Sequence, residues 1–324
     1  MSIGFVVIGR NEGERLSACL DSLGSYGAPI VYADSASSDD SVARANRAGA
    51  TIVSLDPARP MNAARGRREG FERLIGDHPA TEFVQFLDGD CILQPGWIEQ
   101  ATTFLQENPK AAAACGLRFE RYPDASVYNR LCIEEWRTPV GATDACGGDA
   151  MMRVTAYREV GGFRPDLMAG EEPELCARLR AAGWQIWRLD APMSEHDARI
   201  LRLRQWLRRA MRSGYGYAQV WSATEDLPYP LYGRQMWSGL IWGLLFPLAL
   251  VVVGLVTRSP AVLLLIPMAF LVQTARIAAK RNAAHAFAWR RGALLMLSKP
   301  AEAIGVLRYI AGRGRNQSIE YKSG

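Results

Sequence analysis

The chain has 324 residues, of which 49% are hydrophobic and 22% are charged, proportions that exclude a disordered chain or a small disulfide-stabilised scaffold. Its formal net charge of +5 is unevenly distributed: residues 234–324 contain 12 Lys or Arg against 2 Asp or Glu, whereas residues 1–233 contain 26 against 31. A nucleic-acid-binding protein carries its excess positive charge on the folded recognition domain. Here that charge lies in the segment with the longest apolar runs, so the sequence predicts a membrane partner and no nucleic acid.

The cysteines and the N-terminus indicate the compartment. Six cysteines are scattered without a CxxC pair, and the first residues lack the charged and apolar regions of a secretory signal. We therefore expect reduced, buried thiols and a location of the main part of the chain in the cytosol.

Short apolar runs alternate four times with stretches of helical periodicity in the first 105 residues. The apolar runs are 3–8, 30–33, 51–55 and 83–87, and the helical stretches are 16–23, 40–48, 63–75 and 96–105. This pattern predicts an α/β domain with a mostly parallel sheet and helices on both faces. Ligands bind beyond the carboxyl ends of the strands in such sheets, so the polar residues that follow each run are the candidate site residues.

The C-terminal part predicts a membrane hairpin. Residues 235–257 are 23 consecutive uncharged residues, which is enough to span a bilayer. The next uncharged stretch, 259–275, has 17 residues and contains two prolines, so a re-entrant or tilted segment is an alternative. Basic residues on both flanks predict that both ends of the hairpin are cytoplasmic. Residues 293–310 are too charged to span and predict a third, amphipathic segment on the same leaflet.

Residues 199–212 place apolar side chains at helical spacing, with arginines over much of the remaining surface. The pattern predicts an interfacial helix with Trp206 and Leu207 in the lipid boundary, and a solvated helix packed on the domain is the alternative. The predicted organisation is an α/β domain over 1–198, an amphipathic interface segment over 199–233 and a membrane region over 234–324.

The strongest chemical signal is an apolar run that ends in two carboxylates. Asp88 and Asp90 follow the run 83–87, separated by Gly89. Paired carboxylates at the end of a strand suit a divalent cation, Mg²⁺ or Mn²⁺, that also binds substrate phosphates. With this motif in place, the chain resembles the family 2 glycosyltransferases of the GT-A (Rossmann-like) fold, in which a DxD motif follows the fourth strand. The resemblance implies an inverting enzyme that uses a nucleotide-diphosphate sugar, with UDP as the expected nucleotide.

Four further segments carry the resemblance, in the family's order. They are 6–12, similar to the opening strand and NE turn; 32–39, similar to VDxGSxD; 62–70, similar to AARxRNxG; and 161–175, similar to GGF…GEDxxL. The resemblance implies nucleotide binding by Asn11, Glu12, Asp34, Arg67 and Asp88, metal binding by Asp90, Asp88 and His196, and acceptor or diphosphate contacts by Gln205, Trp206 and Arg209. A helix-capping loop at 34–40 and a solvated basic face at 65–68 are the purely structural alternatives.

The family's general base corresponds to Glu172, where the motif has Asp. Pro173 suits the first turn of a helix, so we expect Glu172 to project from the helix start and to accept the acceptor's proton. The extra methylene displaces the carboxylate by about 1 Å, so Glu171 and Glu174 are alternative bases. Three acids at a helix start also occur for structural reasons alone.

Together these features predict sugar transfer to a lipid-linked acceptor at the cytoplasmic face of the inner membrane, in polysaccharide or glycolipid synthesis. A sugar-nucleotide pyrophosphorylase has a similar sheet but requires a basic, Gly-rich phosphate loop, where this chain has the short acidic segment 9–14. An inactive membrane scaffold is the other alternative, and Glu172 in place of Asp favours it. The sequence identifies neither the sugar nor the acceptor, and a homo-oligomer or polysaccharide-assembly partners stay open.

Overall fold

A mixed nine-stranded sheet organises the first two thirds of the chain in the computed structural model, which describes residues 2–280 and 285–312. The strands are β1 (Ile3–Gly9), β2 (Ile30–Asp34), β3 (Thr51–Ser54), β4 (Phe83–Asp88), β5 (Cys91–Leu93), β6 (Ala111–Glu120), β7 (Gly141–Ala142), β8 (Ala150–Arg153) and β9 (Gln185–His196). Their order is β3-β2-β1-β4-β8-β6-β9-β5, and β7 pairs with β9.

The two halves of the sheet differ in strand direction. Strands β1 to β4 are all parallel, which confirms the expectation from the apolar runs. Strand β8 is antiparallel to both β4 and β6, and β5 and β7 are antiparallel to β9. The amino end of β8 therefore lies at the same edge of the sheet as the carboxyl ends of β1 and β4, a placement that becomes important at the site.

Seven helices accompany the sheet within the described part of the chain. They are α1 (Glu14–Gly24), α2 (Ser41–Arg47), α3 (Ala63–Asp77), α4 (Trp97–Glu107), α5 (Val127–Trp136), α6 (Val154–Glu159) and α7 (Glu171–Ala181). Leu16, Leu20 and Leu23 of α1 recur at helical spacing and are buried in the core against the apolar strands. Burial of such a stripe is what holds each helix on the sheet.

Six more helices follow the sheet within residues 203–280 and 285–312. They are α8 (Leu203–Thr224), α9 (Gly233–Leu240), α10 (Phe246–Val256), α11 (Leu265–Ala279), α12 (Ala286–Leu297) and α13 (Lys299–Gly312). One π-helical turn, Ile241–Leu245, joins α9 to α10. Pro247 explains this turn, because a proline lacks an N–H group and its ring clashes with the carbonyl group one turn earlier. A 3₁₀ turn, Pro260–Leu264, leads into α11.

Two of these helical stretches are long and apolar enough to cross a membrane. They are Gly233–Val256, with 24 residues, and Pro260–Ala279, with 20 residues, and the most apolar 18-residue windows within them have mean hydropathies of 2.5 and 1.9. Only 17% and 11% of their most apolar windows are buried inside the protein. The core helix of a water-soluble domain would be mostly buried, so this exposure favours the membrane interpretation.

Helix α8 packs against protein at the position where the sequence predicted lipid. Trp206 is 3% exposed, and its Nε1 donates a hydrogen bond of 2.8 Å to Ser298 Oγ. Its ring packs with Leu131 and Cys132 of α5, and Leu207 is partly buried against the same cluster. The expected placement of Trp206 in the lipid boundary is therefore wrong, because the indole finds its apolar and polar partners within the chain.

Residues 293–310 were expected to form one amphipathic segment, and the structure corrects this number. They belong to two helices, and α13 packs against α8 and α9. A Cβ atom at Gly305 would overlap the backbone of Met211, and one at Gly214 would overlap the backbone of Glu302. The glycines thus let the backbones of α8 and α13 touch.

Candidate active site

A cleft of about 910 Å³ lies at the edge of the sheet where β1, β2 and β4 end. From the strand ends it is lined by Gly9, Ser35, Asp88 and Asp90. The other lining residues come largely from α5, α8 and the loops that precede α7 and α8. The cleft therefore lies where the sequence placed the ligand, but the helices of the C-terminal half form much of its wall.

The side chains of Asp90 and His196 converge at the carboxyl end of β4, and their chemistry fits a metal ion. The antiparallel pairing of β5 with β9 places Cys91 opposite His196, so the imidazole Nε2 lies 3.6 Å from Asp90 Oδ1. One ligand atom each from Asp90, Cys91 and His196 lies within 4.8 Å of the others. The side chain of Asp90 is 8% exposed, and Arg15, which pairs with Glu12 at 2.6 Å, lies 4.0 Å from it. A carboxylate and an imidazole that converge in this way fit a divalent cation.

Asp88 belongs to a different arrangement, a chain of ion pairs through Arg67. Arg67 is 2% exposed and its guanidinium lies 2.7 Å from Asp88 Oδ1 and 2.5 Å from Glu171 Oε1. Burial raises the pKa of Asp88, the attraction of Arg67 opposes that shift, and repulsion from Asp149 and Asp90 adds to it. Arg67 thus holds a carboxylate of the DxD motif and a carboxylate of α7 at one fixed spacing.

Asp149, which was not predicted from the sequence, holds the backbone of the DxD motif from the buried side. It is fully buried, and its carboxylate accepts hydrogen bonds from the backbone N–H of Asp88 (3.1 Å) and from Ser194 Oγ (2.9 Å). The same carboxylate pairs with Arg118 at 2.9 Å. Burial opposes its ionisation, but Arg118 and these hydrogen bonds lower the pKa of Asp149 below its usual value. Asp149 precedes β8, and only knowledge that β8 runs antiparallel would have placed it here.

Glu172 does not project into the cleft as expected. It is 5% exposed, and its Oε1 accepts hydrogen bonds from the backbone N–H of Cys146 (2.6 Å) and from Cys176 Sγ (3.0 Å). Burial raises the pKa of Glu172, and the hydrogen bonds only partly offset this. Glu174 is fully buried and pairs with Arg178 at 2.8 Å. Of the three acids that begin α7, Glu171 is the one that the structure connects to the DxD motif.

The loops after β1 and β2 bring together the other residues predicted to bind the nucleotide. Asp34 is 3% exposed and accepts hydrogen bonds from Tyr32 Oη (3.1 Å) and the backbone N–H of Ser37 (2.9 Å). Asn11 Oδ1 accepts a hydrogen bond of 2.7 Å from the backbone N–H of Ser38. These contacts tie the two loops together beside Ser35, so Asp34 and Asn11 support the end of the cleft near β2.

The three predicted acceptor residues on α8 have different surroundings. Gln205 lines the cleft, and its Oε1 accepts hydrogen bonds of 2.9 Å from two backbone N–H groups at the start of the helix. Arg209 also lines the cleft and pairs with Glu135 of α5 at 2.6 Å. Trp206 is enclosed by protein, as described above. The structure therefore brings Gln205 and Arg209 to the cleft and places Trp206 behind them.

The sheet, the paired aspartates after β4 and the cleft beside them define a glycosyltransferase of the GT-A fold. The sequence profile of a family described as "Glycosyltransferase like family 2" matches residues 2–216. The chain belongs to this family. That assignment leaves the pyrophosphorylase alternative without support.

Curated relatives match only part of the chain. Two proteins from strains of Mycobacterium tuberculosis, each described as "Pre-mycofactocin glycosyltransferase", are 28% identical over 161 residues, which is 47% of this chain and 34% of the relatives. The match thus spans about a third of their length.

Solved structures share the fold at low sequence identity. The mannosyltransferase PcManGT from Pyrobaculum calidifontis, described in complex with GDP-Man and Mn²⁺, has a TM-score of 0.60 and 18% identity, over 94% of this chain and 86% of that chain. Residues 1–349 of TarS from S. aureus have a TM-score of 0.54 and 11% identity, over 96% and 92% of the two chains. At these identities the similarity shows the fold alone.

Proposed function

We propose that this protein transfers a sugar from a nucleotide-diphosphate sugar to a lipid-linked acceptor at the cytoplasmic face of the membrane. The observation that carries the proposal is the extent of the cleft. Its lining includes Asp88 and Asp90, and also Tyr232, the residue immediately before the candidate span Gly233–Val256. One cleft therefore reaches both the DxD motif and the start of the candidate span, which suits an acceptor whose anchor lies in lipid.

The donor side of the proposal rests on the residues that fit a metal ion. Asp90 and His196 would hold the ion, with Asp88 beside them, and the imidazole favours Mn²⁺ over Mg²⁺. When bound, the ion supplies positive charge to the departing nucleotide diphosphate. The description of the Pyrobaculum calidifontis enzyme with GDP-Man and Mn²⁺ supports a donor of this class. UDP is proposed as the nucleotide from the likeness of residues 32–39 to the family's nucleotide loop.

Glu171 is the general base in this proposal. Its Oε1 is bound by Arg67, and Oε2 has no hydrogen-bond partner within residues 2–280 and 285–312. Its side chain is 15% exposed, and the preceding Gly170 lines the cleft, so the base lies at the margin of the cleft. The carboxylate takes the proton of an acceptor hydroxyl group, and the oxygen attacks the anomeric carbon in line with the leaving diphosphate. Arg67 fixes the spacing between the base and Asp88 and so aligns the two substrates.

The membrane side rests on the exposed apolar helices and on the charges around them. Leu255 and Val256 are 74% and 78% exposed, and no other part of the described chain covers them. Arg234 lies in the first turn of the first span, and Arg276 and Lys280 lie at the end of the second. By the positive-inside rule, both ends of this hairpin lie at the cytoplasmic face, on the same side as the cleft.

The test is donor turnover by the full chain in lipid nanodiscs, with a bacterial lipid extract as acceptor and Mn²⁺ present. Nucleotide release is measured with a panel of UDP- and GDP-sugars. Asp90→Asn should lower turnover at least about 100-fold, since several kcal/mol of charge stabilisation depend on the ion. Asp77→Asn, at the exposed end of α3, is the matched control. Turnover that is absent for every donor would favour the inactive scaffold, and turnover unchanged in Asp90→Asn would contradict the metal site.

A further inference from the structure

One wall of the cleft is strongly cationic, and the DxD motif does not account for it. We call it the arginine wall. It consists of Arg208, Arg209 and Arg212 of α8 and Arg308 of α13. The carboxylates that line the cleft, Glu12, Asp88 and Asp90, all belong to the strand-end side. Arg118 of β6 also lines the cleft, but it pairs with the buried Asp149, so the strand-end side is acidic and the arginine wall is basic.

Two members of the arginine wall lack an acidic partner among the residues that the structure describes. Arg209 is neutralised by Glu135, but within residues 2–280 and 285–312 no carboxylate lies within ion-pair distance of Arg208 or Arg308. Both side chains are exposed, so water solvates them in the absence of a ligand. Cations without acidic partners that line a cleft favour an anionic ligand.

The position of the wall indicates which anion it binds. Helix α13, which carries Arg308, packs against α9, the first part of the candidate span Gly233–Val256. The close backbone contact of α8 with α13 at Gly214 and Gly305 holds Arg208 and Arg308 on one surface. The arginine wall thus lies between the donor motif and the start of the membrane segment. An anion that reaches this part of the cleft from the membrane surface would be a group attached to a lipid.

The chemistry of guanidinium narrows the ligand further. Arginine forms paired, charge-assisted hydrogen bonds with phosphate oxygens, whereas the hydroxyl groups of a neutral glycolipid require no cation. We infer that the arginine wall binds the phosphate or diphosphate that links the acceptor to its lipid, so that the acceptor is a lipid phosphate and not a neutral glycolipid. This inference rests on the proposed function and deepens it.

Binding of radiolabelled polyprenyl phosphate to the detergent-solubilised full chain tests the inference without requiring catalysis. The test variant is Arg208→Gln combined with Arg308→Gln. The matched control is Arg204→Gln, because Arg204 lies on the same helix, is exposed and does not line the cleft. Hydrogen bonds to charged groups contribute substantially to the free energy of binding, so the double variant should bind polyprenyl phosphate about 10- to 100-fold more weakly than the wild type. The control should bind it within about twofold of the wild type.

Competition experiments separate the sources of the anion. Unlabelled polyprenol, phosphatidylglycerol and inorganic pyrophosphate should each compete much more weakly than unlabelled polyprenyl phosphate. Equal competition by phosphatidylglycerol would make the wall a general membrane-surface patch, and equal competition by pyrophosphate would make it a free phosphate site. Either outcome would overturn the inference, as would wild-type affinity in the double variant.

UDP binding in the presence of Mn²⁺ is the second readout. It should be unchanged in the double variant, which also shows that the variant is folded. Parallel loss of UDP and lipid binding would assign the arginine wall to the donor and refute the inference. If the proposed function is wrong, the wild type shows no donor turnover. The lipid-binding assay does not depend on turnover, so its result can still be interpreted.

Discussion

Asp149→Asn should destabilise the catalytic domain strongly, although Asp149 does not line the cleft. The substitution leaves the guanidinium of Arg118, whose side chain is 14% exposed, without its buried counter-ion. Breaking a buried ion pair costs about 3–5 kcal/mol. The asparagine amide keeps an acceptor for the Asp88 N–H group, so we expect the lower end, about 3 kcal/mol. In a domain of this size that loss lowers the Tm by about 6–12 °C.

Thermal unfolding of the detergent-solubilised full chain, followed by tryptophan fluorescence, measures this shift. Ser194→Ala is the control, because it removes one hydrogen bond to the same carboxylate and keeps the ion pair; it should cost about 1 kcal/mol. Adding Arg118→Gln to Asp149→Asn removes the orphaned charge and should restore part of the lost Tm. A shift for Asp149→Asn no larger than that for Ser194→Ala would refute the reasoning.

Three further predictions concern α7 and the close helix contacts. Glu171→Gln should lower kcat, measured by nucleotide release, at least about 100-fold with donor KM nearly unchanged. Glu172→Gln should lower kcat far less. A larger loss of kcat in Glu172→Gln than in Glu171→Gln would identify Glu172 as the general base. Because burial raises the pKa of Glu172, the folded protein holds that proton to higher pH than the unfolded chain, so stability falls as pH rises above the ordinary Glu pKa. Glu172→Gln should flatten this decline in Tm between acid and neutral pH, and parallel curves for the two proteins would contradict it. Gly305→Ala should lower the Tm, because the new Cβ atom would overlap the backbone of Met211. Gly76→Ala on α3 is the control: its Cβ atom would point into open space, so it should raise the free energy of unfolding by about 0.5–1 kcal/mol. Equal changes in Tm for the two variants would exclude the close contact.

Features that depend on local sequence could be predicted from the sequence. The apolar runs predicted β1 to β4 within one or two residues, because a strand buried on both faces must be continuously apolar. Two candidate membrane segments were predicted from long runs of uncharged residues, and the structure extends the second to Pro260–Ala279. The DxD motif was placed correctly at the edge of the sheet, because it follows a strand whose direction was known.

What only the tertiary structure decided depends on contacts between distant segments. Asp149 reaches the DxD motif because β8 runs antiparallel to β4, and nothing in the apolar pattern of a strand encodes its direction. Trp206 is buried because α5 and Ser298 cover it, although the spacing along α8 alone suits a lipid-facing helix equally well. Glu171 and Glu172 are neighbours of the same charge in the sequence. Their difference arises from what lies opposite each one, Arg67 for the first and the thiol of Cys176 for the second, and those partners are set by the packing of α7.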